Sequence, residues 1–138
     1  MRGVLLIALA ACGSSSGSTD GSTQFIRWEL DGTSDTADLL ALGNVSGANF
    51  AGQGQDSSGH HVAIAVKGVA VGTFAIGSTT SILYDDDSGS WAADSGGITI
   101  TALTDHEIQG TFQGDLTVRT GSGSPDLQIT NGAFDLSY

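Results

Sequence analysis

The stretch IQGTFQGDLTVR, residues 108–119, alternates along its whole length. Ile108, Gly110, Phe112, Gly114, Leu116 and Val118 share one parity, and Gln109, Thr111, Gln113, Asp115, Thr117 and Arg119 share the other. Successive side chains of an extended strand point to opposite faces, so this pattern predicts a β-strand with one buried and one solvated side. A strand of that kind needs antiparallel neighbours, and the flanking sequence supplies them. In HHVAIAV, Val62, Ile64 and Val66 alternate with His61, Ala63 and Ala65, and in GITIT, Ile98 and Ile100 alternate with Thr99 and Thr101.

Turn-forming clusters separate these runs: Asp31-Gly32, Asp56 to Gly59, Ser88-Gly89, Ser95-Gly96-Gly97, and Gly121 to Pro125. The spacing predicts an all-β domain of eight or nine strands, an antiparallel β-sandwich or flattened barrel. SDTADLLALGN, residues 34–44, carries Asp35 as a candidate helix N-cap and Gly43 as a candidate stop, but one or two isolated turns of helix are marginal. A strand is the better expectation there. In the last run, Leu127 and Ile129 occupy odd positions, whereas Phe134, Leu136 and Tyr138 occupy even ones. One extra residue at Asn131-Gly132 restores a single buried face, so a β-bulge is predicted, with Gly132 tolerating its backbone angles.

The chain has 138 residues, enough for one domain. Four basic residues face fifteen acidic ones, thirteen of them Asp, and the net charge is −11. That balance repels phosphate backbones and argues against nucleic-acid binding. With one cysteine, Cys12, neither an internal disulfide nor a cysteine-based zinc site can form.

The beginning of the chain has its own logic. MRGVLLIALAAC opens with Arg2, continues through an apolar run from Val4 to Leu9, and ends on Ala10, Ala11 and Cys12. This is the order of a secretory signal, too short to span a bilayer. Leu9-Ala10-Ala11-Cys12 resembles the lipobox of bacterial lipoproteins. The resemblance implies cleavage between Ala11 and Cys12 and lipidation of the Cys12 thiol, so that the membrane becomes a partner through the lipid anchor. Gly13 after the cysteine, in place of an Asp that would retain the protein on the inner membrane, points to the bacterial outer membrane. Gly13 to Thr23, GSSSGSTDGST, holds no apolar side chain and reads as a flexible tether. Its match to G-x-S-x-G at Ser15 has no preceding strand or following helix and reads as chance. The expected organisation is a signal peptide over 1–11, a lipidated cysteine and linker over 12–23, and an antiparallel β domain over 24–138.

Four ordered landmarks, GTFAIG (72–77), GITITAL (97–103), IQGTFQGDL (108–116) and ITNGAFDLSY (129–138), carry a second resemblance. They are similar to a family of small bacterial lipoproteins of the Bacteroidetes type, whose β-sandwich domain has no assigned function. Phe74 stands where that family usually has Tyr, and the loops here are unusually acidic. The resemblance implies a β fold and an envelope location, and no catalytic residues.

Three clusters bear on chemistry. YDDDSGSW, residues 84–91, crowds three carboxylates, and Ca²⁺ could relieve their repulsion through Asp85, Asp87 and Ser90. A solvated hairpin tip is the alternative. Trp91 and Tyr84 beside that loop are candidates for stacking on a sugar ring, against the alternative of packing over a sheet edge, while Trp28 alternates with Ile26 and Leu30 and reads as core. His60, His61 and His106 raise zinc, but neighbouring strand residues point to opposite faces, so His60 and His61 share a metal only if the turn at Gly59 twists one around. Asp105 and Glu107 flank His106 in a pattern that could serve general acid–base work, but a turn beginning the next strand explains it without a cleft.

The expectation is therefore a lipid-anchored envelope protein with a non-catalytic binding or structural β domain and an envelope protein or glycan as its partner. No cofactor is expected except Ca²⁺. The alternatives are a Ca²⁺-dependent carbohydrate-binding module and, behind it, a small hydrolase.

Overall fold

A computed structural model describes residues 24–120 and 125–138, and its regular structure is entirely β. Cys12, the expected Ala11–Cys12 cleavage point and the expected tether lie outside the described residues, as does most of the Gly121–Pro125 segment. Ten strands follow one another: β1 (Phe25–Leu30), β2 (Thr33–Thr36), β3 (Leu40–Ser46), β4 (Asn49–Gln55), β5 (His61–Lys67), β6 (Gly72–Ala75), β7 (Thr80–Asp86), β8 (Gly89–Leu103), β9 (Glu107–Thr120) and β10 (Leu127–Ser137). All pairings are antiparallel, in the order β2-β1-β10-β9-β8-β7-β5-β4-β3, with β6 alongside β8.

The two edges of this sheet, β2 and β3, are consecutive in the chain and separated only by Ala37-Asp38-Leu39. Three residues span little distance, so the sheet must curl until its edges nearly meet. Ala37 N–H donates to Ile26 C=O of β1 (2.8 Å), and Leu39 N–H donates to Gln55 C=O of β4 (3.0 Å). One passage of chain thus leaves β1 and joins β4 within two residues. The result is a flattened barrel, with β10 packing across the interior against β3 and β1 against β4.

The interior is what alternation requires. Ile26, Trp28, Val62, Ile64, Val66, Ile98, Ile100, Ile108, Phe112, Leu116, Phe134 and Leu136 are all buried in a single cluster. Each large aliphatic or aromatic side chain so buried contributes about 1.5–3 kcal/mol. Val118 breaks the pattern, 39 % exposed where β9 runs past the core. The two halves of the barrel approach closely because small residues line one of them: a Cβ on Gly43 would stand 2.7 Å from Leu136 Cβ, and one on Gly54 would stand 2.7 Å from Ala37 Cβ.

Several local readings are sharpened. The ambiguous segment is mostly strand: it falls in β2 through Thr36 and in β3 from Leu40. Ser95-Gly96-Gly97 is not a turn: it lies inside β8, where the register slips between Ala93 and Ser95 and Gly96 takes φ +107°. Reading that bulge as a turn divides the long strand, and β2 and β6, of four residues each, are short enough to escape periodicity. The predicted bulge in β10 is present, between Ile129 and Gly132, but the left-handed residue is Asn131 (φ 50°). Gly132 serves another purpose, because a Cβ there would fall 2.6 Å from the Phe112 carbonyl oxygen and 2.8 Å from its ring.

Candidate functional site

Asp56 closes β4 and retains its inward parity, since Phe50, Gly52, Gly54 and Asp56 are all buried. A buried carboxylate must be hydrogen-bonded, and the turn that follows meets that need. Asp56 Oδ1 accepts the backbone N–H of Ser58 (2.9 Å) and of His60 (2.9 Å), while Asp56 N–H donates to His60 C=O (3.0 Å). Gly59, at φ +92°, allows the tight reversal. Asp56 Oδ2 is left facing the imidazole that the same turn delivers, 2.8 Å from His60 Nδ1.

A second carboxylate arrives from the opposite side of the curl. Asp35 on β2 is the register partner of Trp28 on β1, so both side chains leave the inner face. Its Oδ2 lies 2.6 Å from the same His60 Nδ1. Asp38, in the link between the two sheet edges, fixes this meeting: its carboxylate accepts Ser57 N–H (2.7 Å) and Ser57 O–H (3.2 Å) from the β4–β5 turn. Among the described residues, Asp35, Asp56 and His60 bring three ligating atoms within 4.8 Å of one another. Exposure rises outward, from 6 % for the Asp56 side chain to 20 % for Asp35 and 36 % for His60.

The electrostatics follow from this geometry. Burial acts first on all three groups. It raises the Asp35 carboxyl above its ordinary 3.8, and the neighbouring Asp56 reinforces that against the pull of His60. On Asp56, burial is outweighed by the hydrogen bonds from Asp35 and His60 and by the imidazole's charge, and its pKa is lowered. On His60, burial is outweighed by the hydrogen bond to Asp35 and the two carboxylate charges, which hold the imidazole above 6.5. Tyr84 packs its ring 6.2 Å from His60. Its phenol is pushed well up, by burial and then by Asp86, whose Oδ2 accepts the Tyr84 O–H at 3.2 Å.

The residues singled out from sequence are distributed differently. Asp85 and Ser90 are register partners, Asp87 occupies the turn after Asp86, and Asp85 Oδ2 lies 3.4 Å from His61 Nδ1 on the outer face. Tyr84 and Trp91 do meet, with ring centroids 5.6 Å apart, but they are 1 % and 2 % exposed. The expected stacking platform is therefore corrected to a core pair: Tyr84 shares inward parity with Thr80 and Ile82, and Trp91 turns inward to donate Nε1–H to Pro125 C=O (2.9 Å). His60 and His61 point to opposite faces, as neighbouring residues should. Asp105 and His106 lie in an exposed β8–β9 turn closed by Thr104, whose Oγ1 accepts the N–H groups of His106 and Glu107.

Outside the barrel, a row of cross-strand partners runs Thr73-Thr99-Thr111-Ala133-Arg27-Thr36 over six strands. It floors an open groove of about 1010 Å³ with Glu29 and Gln113 beside it. Thr73 and Thr99 hydroxyls are joined at 3.0 Å, and the Arg27 guanidinium rests 4.8 Å from the centre of the Phe25 ring.

No family model, no curated protein and no solved structure matches this chain.

Proposed function

We propose that this chain is a lipid-anchored protein of the bacterial envelope, tethered to the outer membrane through Cys12, whose β domain binds an envelope glycan or protein without transforming it. The observation that carries the binding reading is the outer groove. It is broad, open and floored by hydroxyl and methyl groups from five strands and the Arg27 side chain from a sixth, a surface on which an extended polar polymer can lie. Reaction centres, by contrast, usually enclose their substrate among convergent titratable groups. The lipobox quartet ahead of an apolar-free linker supports the tethering. Two or three acyl chains, at about 0.8 kcal/mol per buried methylene, hold a protein at a membrane without further contacts.

The test is cell fractionation with mass spectrometry, paired with glycan binding. Wild-type chain should be recovered from the outer membrane with Cys12 acylated and N-terminal, and Cys12→Ser should be released. The purified chain should sediment with isolated cell-wall glycan and return it unchanged, and Thr111→Glu with Thr99→Glu should abolish the sedimentation. A free Cys12 thiol in the membrane fraction defeats the anchoring, and cleavage of the glycan defeats the non-catalytic role.

A further inference from the structure

The inward-facing group at the mouth of the barrel has a chemistry that the outer groove does not use. Asp35 Oδ2 and Asp56 Oδ2 both address one atom, His60 Nδ1, at 2.6 and 2.8 Å. A neutral or protonated imidazole offers a single N–H at that position, so two carboxylates compete for one donor. Both sit partly or wholly out of water, and the pairs they make with a cationic side chain among the described residues are with His60 alone. Two anions at a desolvated site call for more positive charge than one imidazole provides.

A second observation comes from the neighbouring strand. Trp28 is 1 % exposed and its Nε1–H meets no acceptor. Trp28 is the register partner of Asp35 and leaves the same face of the sheet, one cross-strand step from the cluster. A buried donor without an acceptor destabilises the fold unless a bound oxygen supplies the missing partner.

We propose that Asp35, Asp56 and His60 form a binding site for a single divalent transition-metal ion of the zinc class, with a fourth position left to water or to an oxygen of an external ligand. The donor set of one imidazole nitrogen and two carboxylate oxygens is one that zinc takes, and three protein ligands with an open fourth position mark sites where zinc meets solvent or ligand. Calcium, which wants six to eight oxygens, fits this set poorly. In a tetrahedral zinc site, with bonds of about 2.0–2.2 Å, donor atoms stand roughly 3.4 Å apart. The Nδ1–Oδ2 distances must therefore open by less than about 1 Å, within reach of small side-chain rotations at the partly exposed Asp35 and His60. Asp56 needs no rearrangement of its support. Its Oδ1 remains held by two backbone N–H groups while Oδ2 ligates, which is the outer hydrogen bonding that orients metal-binding carboxylates.

Of the three ligands only Asp35 also lines the outer groove, and Asp56 and His60 lie outside that lining, so zinc binding is read separately from glycan binding. The test uses the full chain carrying Cys12→Ser, which removes the one competing thiol, after exhaustive chelation. Isothermal titration with Zn²⁺ should give one site per chain and raise the melting temperature. Co²⁺ should give the visible absorption of a low-symmetry nitrogen and oxygen site, and Ca²⁺ should give neither heat nor shift. Asp35→Asn and His60→Gln, both partly exposed and expected to fold, should each weaken Zn²⁺ binding at least tenfold, whereas His61→Gln and His106→Gln should leave it unchanged. The proposal is overturned by any of three results: no heat and no melting shift at millimolar Zn²⁺; affinity unaltered in Asp35→Asn and His60→Gln; or Ca²⁺ binding in preference to Zn²⁺. Should His60→Gln fail to fold, the imidazole NMR signals of wild-type chain decide instead, because only the His60 ring should shift on titration with Zn²⁺.

Discussion

Phe134 lies over Gly110, its register partner on β9, so closely that a Cβ on the glycine would stand 2.6 Å from the ring's Cζ. The neighbouring pair repeats the arrangement in reverse, with Phe112 covering Gly132, and the two rings stand 6.2 Å apart. Each aromatic shields the glycine opposite and fills the space its missing side chain leaves. Gly110→Ala should therefore cost about 2–3 kcal/mol, at the upper end of overpacking, because the added methyl also overlaps the Thr99 carbonyl, which cannot swing aside. Gly77→Ala, with nothing within 4 Å, is the control and should stay within about 0.5 kcal/mol. Urea unfolding decides it, and equal midpoints for the two variants would show that the glycine–ring pairs are not tightly packed.

The β10 bulge makes a complementary prediction. Asn131 holds φ 50° and its side-chain amide donates to Glu29 Oε2 at 3.2 Å. Asn131→Gly should change stability by less than about 1 kcal/mol, since glycine regains in backbone geometry part of what the lost hydrogen bond gave. Asn131→Val should cost about 1–2 kcal/mol, the usual strain of a β-branched residue in the left-handed region. Thermal melting of both variants checks the order, and a harmless valine would mean that the bulge relaxes.

His60 should make stability depend on pH with a definite sign. Its folded pKa is raised above 6.5, so its contribution is complete below that value and is lost as the pH climbs through the folded one. Asp35, raised above 3.8, acts in the same direction from a lower starting point, and Asp56, lowered below 3.8, stabilises above that value and fails only in stronger acid. In chelator, the gap in melting temperature between wild type and His60→Gln should be wide at about pH 5.5 and narrow at about pH 8.5. A gap independent of pH would exclude the charge-assisted pairing.

Asp56→Ala should loosen the β4–β5 turn. It strands the N–H groups of Ser58 and His60, at a cost of about 2–3 kcal/mol. Hydrogen exchange at these two amides should accelerate well beyond that of core amides such as Ile64. Uniform acceleration would instead indicate that Asp56 supports the whole barrel.

Both tryptophans should report a dry environment. Trp28 and Trp91 are 1 % and 2 % exposed, so emission should be blue-shifted and acrylamide should quench it weakly. Strong quenching would restore Trp91 to the surface.

The architecture was legible because its signal is local. Alternation in residues 108–119 gave the central strand, and the parity change between Ile129 and Phe134 located the bulge. Trp91 was legible in principle, since Ile82 and Tyr84 set the inward parity of its partner strand, but the adjacent aspartates drew the reading toward solvent. The Asp35–Asp56–His60 cluster was not legible. Asp35 and His60 are 25 residues apart and meet only because the sheet curls, and sequence periodicity specifies the face of each strand but not the curvature that brings two edges together.

That curvature depends on very little chain. The passage Ala37-Asp38-Leu39 is the covalent bond between the first edge of the sheet and the last, and Leu39 within it is 63 % exposed. A single protease nick there would leave every strand intact yet free two unprotected edges at once, the condition under which β-sheets recruit one another. One cut could turn a folded domain into a seed for aggregation.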